Sequence, residues 1–316
     1  EKRAAASAAS AAGSAASAEE TREQVEQIAA GVAKGNMSVS DYDNDGAVKA
    51  AGGIKAYTKA QTDVLAADIA EVNNTLVNLQ HPNAGAHNAV YRGKALGSNV
   101  SEEQYAAIAA GTFDDLYIGD YWTIGGVNYR IAAFDYFLNT GDTSCTDHHV
   151  VIVPDDRLYT AVMNSVNTTQ GGYVGSDMYK SNLGQAKTTI KSAFSGHVLS
   201  HRVYLTNAVS NGVPSGCAWV NSEVELMTER MVYGNPVLSP LGDGQKDPWS
   251  AMHNYTVEKS QLPLFALNPA AIATRYDYWL RDVVTALYFA QVGHYGRADE
   301  YAASNSLGVR PYFCIY

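Results

Sequence analysis

Within residues 58–81, Leu65, Ile69, Val72, Leu76 and Leu79 recur at alternating spacings of four and three, with polar residues between them. On a helix that spacing gathers all of them into one narrow apolar stripe. A stripe this narrow cannot bury itself within its own short segment. The same helix from other copies of the chain is the partner that fits it, with the chain's own globular part as the alternative. Mixed Leu, Ile and Val do not set the number of strands. A shorter amphipathic stretch lies upstream, where Val25, Ile28 and Val32 follow the charged run Glu19-Glu20-Thr21-Arg22-Glu23. Before it, the Ala/Ser tract over 4–18 has helix propensity but almost no side chain with which to build a core. These patterns predict a helical segment over 1–34, a linker over 35–57 and a coiled-coil stalk helix over 58–81.

Beyond Pro82 the period changes. Short alternating or apolar segments over 117–124, 129–134 and 149–153, separated by Gly, Asp and Asn, predict strands. Helix-forming composition marks 104–110 and 179–197, and over 222–232 Val224, Met227 and Met231 lie three and four apart, a helical spacing. The fold class expected is α+β, with one domain over 82–316 carried on the helical stalk.

Net charge of −10 and a pI near 5.2 would repel phosphate backbones, so nucleic acid is not an expected partner. No run of about 18 apolar residues is present, and the Ala/Ser opening lacks the apolar centre of a signal peptide, so membrane insertion is not expected either. Cys145, Cys217 and Cys314 match neither a disulfide framework nor a metal pattern, and free thiols are expected. The run Asp41-Tyr42-Asp43-Asn44-Asp45-Gly46 opens like a calcium-binding EF loop, but its twelfth position is Gly52 where a bidentate Glu is needed. His197 and His201 are four apart but lack the Glu of a metalloprotease helix between them, and adjacent His148 and His149 would point to opposite faces of a strand. The pairs Asp114-Asp115 and Asp155-Asp156 read as solvated turns rather than as glycosidase carboxylates. With no nucleophile elbow and no phosphate loop, the expectation is no catalytic residue, no metal and no cofactor.

The last forty residues stand apart in composition. The chain has 21 Tyr against 7 Phe, and seven of those Tyr follow position 275. Tyr gives large amphipathic contact area at low entropic cost, and Asp and small residues add adaptable polar contacts, as in a binding face. Composition alone leaves a Tyr-rich face packed on the core equally open.

Over 85–316 the blocks GAHNAVYRGKALG, GTFDDLYIGDYWTIGGVNYRIAAFDY, HVVIVPD, GGYVGSDM, HVLSHRVYLTNAV, SEVELMTERMVYG, QLPLFALNP, YWLR and ASNSLGVRPYFCI occur in order. Taken together they resemble the head domain of tail-fibre receptor-binding proteins from phages and prophages of Gram-positive bacteria. The terminal pattern is similar to the C-type lectin-like fold in its formylglycine-generating-enzyme branch, which includes the variable proteins of diversity-generating retroelements. The resemblance implies a homotrimer in the virion tail that binds a host-cell surface protein or glycan, beside other tail proteins. It also implies a scaffold containing Trp279, Leu280, Arg281, Phe289, Val292, Gly296, Ala303, Ser304, Gly308, Val309, Arg310, Pro311 and Phe313. Exposed, variable positions would be Tyr276, Asp277, Tyr278, Asp282, Val283, Val284, Ala286, Leu287, Tyr288, His294, Tyr295, Arg297, Asp299 and Tyr301. In those variable proteins Asn codons are randomised at adenines, which reaches Tyr, Asp, His, Val, Leu and Ala. The calcium-dependent sugar tripeptides of the lectin fold are absent, and the cysteines do not provide the oxidase arrangement of the formylglycine branch. The alternatives are a structural tail or baseplate protein of the same fold and, less favoured, a cell-wall glycan depolymerase.

Overall fold

The computed structural model describes residues 17–26, 63–72, 83–246 and 260–316. The chain divides into two units, Glu1–Val72 and Asn73–Tyr316. In the first unit the described residues form two helices, α1 (17–26) and α2 (63–72). On α2, Leu65, Ile69 and Val72 are exposed at 50%, 48% and 58%, so the three described members of the apolar stripe face solvent in a single chain. Leu76, Leu79, Ile28, Val32 and the Asp41–Gly52 stretch lie outside the described residues.

The second unit is a mixed α and β domain. Its elements in order are α3 (Ala84–Asn88), β1 (Ala95–Gly97), α4 (Glu102–Ala109), β2 (Tyr121–Ile124), β3 (Val127–Phe134), β4 (Val150–Pro154), β5 (Tyr159–Val162), α5 (Gly172–Gly175), a π turn (Met178–Asn182) and α6 (Gly184–Ala193). There follow β6 (His201–Ser210), β7 (Val213–Ser222), β8 (Val224–Leu226), α7 (Glu229–Tyr233), α8 (Pro263–Leu267) and a 3-10 turn (Pro269–Ile272). The chain ends in β9 (Tyr278–Val283), β10 (Tyr288–Val292), β11 (Ala298–Ala302), β12 (Ser306–Val309) and β13 (Pro311–Ile315).

Among the described residues three sheets form. One runs β1-β2-β3-β4-β13-β8, a second β11-β10-β9-β12-β5, and β6 and β7 form a long hairpin. Two of the places where the chain crosses between the first two sheets are adjacent. One is the link from β4 to β5, the other the single residue Arg310 between β12 and β13, and the Leu158 N–H donates to the Val309 carbonyl where they meet, 2.9 Å. The Arg310 guanidinium, 1% exposed, holds this junction. It donates to the carbonyls of Pro154 (2.9 Å), Ala271 (3.0 Å) and Ile272 (3.4 Å) and to the Tyr278 hydroxyl (3.1 Å). One planar fork with five N–H groups thus ties the end of β4, the 3-10 turn and the start of β9. Below it, Tyr129, Phe194 and Phe313 pack with centroids 4.9 to 5.8 Å apart.

Three local expectations need correction. The 222–232 stretch is not one helix: Val224–Leu226 pairs with β13 as a strand, and Thr228, whose side chain accepts from Met231 N–H, starts a separate five-residue helix. The helical spacing arose from two elements joined at a cap. The 179–197 stretch begins as a π turn, and its helix ends at Ala193, so His197 and His201 do not share a helix face. His197 stacks on Tyr105 at 3.6 Å, while His201 opens β6. Residues 117–120 form a turn rather than strand, because the Asp120 carboxylate gathers the N–H groups of Tyr117 and Lys94 and the Arg92 guanidinium.

Candidate functional site

β9 lies in the middle of its sheet between β10 and β12, and the Arg281 N–H also donates to Met227 O on the far side, 3.0 Å. Every residue of β9 is therefore buried. This corrects the expected exposure of Tyr278, Asp282 and Val283, which are 0%, 1% and 0% exposed. The Tyr278 hydroxyl donates to Ile272 O (3.0 Å), and the Asp282 carboxylate accepts from the N–H groups of Glu229 (2.7 Å) and Asp243 (2.9 Å). These three positions belong to the frame.

The expected scaffold residues Trp279, Leu280, Arg281, Phe289, Val292, Ala303, Gly308, Val309, Arg310, Pro311 and Phe313 are buried, whereas Gly296 is half-buried and Ser304 is exposed. Trp279 donates its indole N–H to Ala161 O at 2.9 Å. Arg281, fully buried, meets Asp243 at 2.8 Å, Leu226 O at 3.1 Å and the Tyr312 hydroxyl at 3.3 Å. Gly308 passes so close to the Asp277 carbonyl that a Cβ there would meet it at 2.9 Å, which accounts for glycine at that position.

The remaining candidates form two groups at opposite ends of the β9–β10 hairpin, separated by the length of five residues of β10, roughly 16 Å. The first group surrounds the start of β9 and the β10–β11 turn. Here the Arg157 guanidinium lies over the Tyr276 ring at 3.6 Å, and the His294 backbone N–H donates to Asp277 Oδ1 at 2.7 Å. Arg297 pairs with Asp299 at 2.6 Å, and Tyr295 stands out at 81% exposed. Arg157, Tyr276, Asp277 and His294 line a shallow cleft of about 220 Å³ with Ser306 and Leu307. The Tyr233 hydroxyl donates to Gly296 O at 3.2 Å and fixes the turn from below.

The second group is the β9–β10 turn with the edge strand β11: Val284, Ala286, Leu287, Tyr288 and Tyr301. Leu287 and Tyr301 are 46% and 45% exposed, Ala286 is exposed, and Val284 and Tyr288 are half-buried. This turn is braced rather than loose. Thr169 donates its hydroxyl to Thr285 O (2.7 Å) and its N–H to Ala286 O (3.0 Å). The tip of the β6–β7 hairpin presses on it: a Cβ at Gly212, whose φ is +77°, would meet Ala286 N at 2.7 Å.

The other sequence candidates are distributed elsewhere. Asp115 pairs with Arg92 and Lys94, and Asp155 with Arg130. Asp114 accepts from the Thr112 hydroxyl at 3.0 Å, and Asp156 from Arg157 N–H at 2.6 Å. His148 meets Asp135 at 2.8 Å, and the neighbouring His149 is fully buried. Cys145 and Cys314 are buried free thiols and Cys217 is half-buried. Burial pushes the Cys145 and Cys314 thiols up, away from the reactive thiolate. Among the described residues no group of three His, Cys, Asp or Glu side chains is placed to hold a metal ion, and no helix is long and apolar enough to cross a membrane.

Sequence reading missed Asp243, Glu225 and Glu229. All three are buried, with Glu229 accepting N–H groups from Val237, Leu238 and Ser239 at 2.9 to 3.0 Å. Compared with protein-family models, with curated proteins and with solved structures, the chain finds no match.

Proposed function

We propose that the chain is a receptor-binding protein of a phage tail fibre. In this reading residues 82–316 form a C-type lectin-like head on a homotrimeric coiled-coil stalk, and the head binds a host-cell surface protein or glycan in the virion's first contact with its host. Its role is binding rather than catalysis. The observation that carries it is the division of the final segment. A buried frame, with Trp279, Arg281 and Arg310 each hydrogen-bonded, supports exposed Leu287 and Tyr295 on braced turns, Tyr276 ahead of β9 and Tyr301 on the edge strand. Aromatic anchors on rigid supports lose little entropy on binding. Two separate groups of contacts on each head, repeated in a trimer, would raise a weak single-site affinity by avidity.

The test replaces Tyr276, Leu287, Tyr295 and Tyr301 with Ser in the full chain and measures adsorption of the labelled protein to a panel of Gram-positive cells. Stability should change by no more than about 0.5 kcal/mol per exposed site. Adsorption is expected to fall at least about tenfold, a loss of about 1.4 kcal/mol. Adsorption equal to that of the parent protein overturns the receptor-surface reading.

The stalk is tested separately. Leu65→Glu with Ile69→Glu places charges on the exposed stripe of α2, and sedimentation is expected to change from trimer to monomer. A parent chain that sediments as a stable monomer removes the stalk from the proposal.

A further inference from the structure

Two arginines break a pattern that the rest of the molecule keeps. Every other arginine among the described residues donates its guanidinium to a carboxylate, carbonyl or amide oxygen. Arg157 and Arg275 donate, among the described residues, only through their backbone N–H groups, to Asp156 Oδ1 and to the His294 carbonyl. Both line the same shallow cleft at the start of β9. In a chain of net charge −10, two guanidinium groups without an acceptor in one place fit an anion from outside.

The backbone holds both in position. The Arg157 stem lies across Gly308, where an added Cβ would meet the Arg157 Cβ at 2.9 Å and its Cδ at 3.0 Å. Its guanidinium then lies over the Tyr276 ring at 3.6 Å. The ring takes one face of the fork and leaves the N–H edge open, and that edge is what meets an oxyanion through two parallel bonds. Arg275 has a φ of +65°, a left-handed conformation that is uncommon and strained outside glycine. Its backbone N–H is fixed to the His294 carbonyl at 3.1 Å. Glycine would relieve the strain, so an arginine retained there points to use of its side chain.

Size and charge together specify the ligand. The cleft measures about 220 Å³, below the roughly 300 Å³ at which small-molecule sites begin, so it takes one charged group of a larger molecule. Asp277, the acid in the cleft, is already engaged: its Oδ1 accepts the His294 N–H at 2.7 Å and meets the His294 Nδ1 at 3.1 Å. Asp156 beside Arg157 is exposed and accepts only a backbone N–H among the described residues. A cation would be opposed by two arginines, and a neutral sugar would leave both without a counter-charge. A phosphate or carboxylate group meets both, with the hydroxyl of Ser306 as a further donor. We infer that the cleft with Arg157 and Arg275 binds a phosphate or carboxylate group carried by the host-surface component that the head recognises, a step that rests on the receptor-binding reading for the source of the anion.

Methyl phosphate, dimethyl phosphate and methyl glucuronide are titrated into the isotope-labelled full chain, with neutral methyl glucoside as control, and the arginine side-chain N–H resonances are followed by NMR. The phosphate and carboxylate probes separate the two sources of the anion. At least one anion is expected to bind with a Kd of roughly 1–10 mM and to shift the Arg157 and Arg275 signals, while the glucoside shifts neither. Raising the salt from about 20 to about 200 mM weakens that binding several-fold. Arg157→Gln and Arg275→Gln each weaken it at least about fivefold, and together they abolish it. Arg157→Lys recovers only part, because an ammonium keeps the charge and loses the fork. Arg202→Gln, which removes the same charge on β6 outside the cleft, binds like the parent. Should the double variant fail to fold, Arg275→Gln, at an exposed position, still decides. The double variant is also expected to adsorb to cells at least about tenfold less than the parent. No shift from any anion, anion binding undiminished in the double variant, or adsorption equal to that of the parent overturns the inference. Anion binding that follows the two arginines in a parent that adsorbs to no cell removes the receptor reading and leaves the anion site standing.

Discussion

Arg281→Met is expected to cost about 3–5 kcal/mol of folding stability, the usual penalty for stranding a buried charge. Arg281 is 0% exposed, and its Nε donates to an Asp243 carboxylate that is equally enclosed, 2.8 Å away. Asp243 receives the Thr206 N–H at 3.2 Å and donates its own N–H to Asp282 at 2.9 Å, and Asp282 in turn receives the Glu229 N–H at 2.7 Å. The positive charge also opposes the upward push that burial exerts on Glu225, whose carboxyl is held by Tyr173 at 2.7 Å and Ser222 at 2.6 Å. Methionine fills much of the volume but leaves Asp243 unpaired and Glu225 with a still higher proton affinity. For a domain of this size the loss corresponds to a Tm lower by roughly 10 °C. Arg281→Lys should recover little, because one ammonium cannot reproduce a fork reaching Asp243, Leu226 O and Tyr312 together. Arg297→Ala, at a side chain 73% exposed, is the control and should move stability by no more than about 0.5 kcal/mol. Urea unfolding with a loss below about 1 kcal/mol for Arg281→Met would show that the network does not anchor the domain.

The same network explains which parts of the molecule the sequence could disclose. Trp279, Phe289 and Phe313 are large and apolar, and their burial follows from residue type. Asp282 misled for the opposite reason: the resemblance implied an exposed carboxylate there, yet its partners come from 229 and 243, far along the chain. No local period announces such a contact. Tyr278 and Tyr295 are the same residue type in the same Tyr-rich segment, but one is 0% and the other 81% exposed. The difference is strand position, since Tyr278 begins a central strand and Tyr295 sits in the β10–β11 turn. The strands expected over 129–134 and 149–153 were legible, as Val127–Phe134 and Val150–Pro154, because the second is a short run apolar on both faces and the first ends in the apolar run 131–134.

His201 should make the domain sensitive to acid, with the loss beginning below about pH 6.5, where the unfolded imidazole starts to protonate. Burial, together with the charges of His149 and Arg281, pushes the folded imidazole down to about 3 from its ordinary 6.5. Between those values the unfolded chain binds a proton that the folded chain refuses, so stability rises with pH across that interval. The contribution is complete above the unfolded value and falls by about 1.4 kcal/mol per pH unit as acidity increases, reaching about 3 kcal/mol near pH 4. His149 adds in the same direction, since burial lowers it also. Glu225 acts in the opposite sense: its raised proton affinity weakens the fold as pH rises past the ordinary carboxylate range, so acid relieves part of the strain there. Asp115 and Asp142, held low by Arg92 and Arg202, lose their contributions only below about pH 3.8. These other groups cancel when the parent and His201→Phe are compared at each pH, because phenylalanine keeps the ring packed against Phe137 and removes the titration. The stability advantage of His201→Phe over the parent is therefore expected to grow by about 1.4 kcal/mol per unit between pH 6 and pH 4. A difference that stays flat across that interval would mean that the His201 ring takes up its proton in the folded state as readily as in the unfolded chain, and its burial would then not be the source of the acid sensitivity.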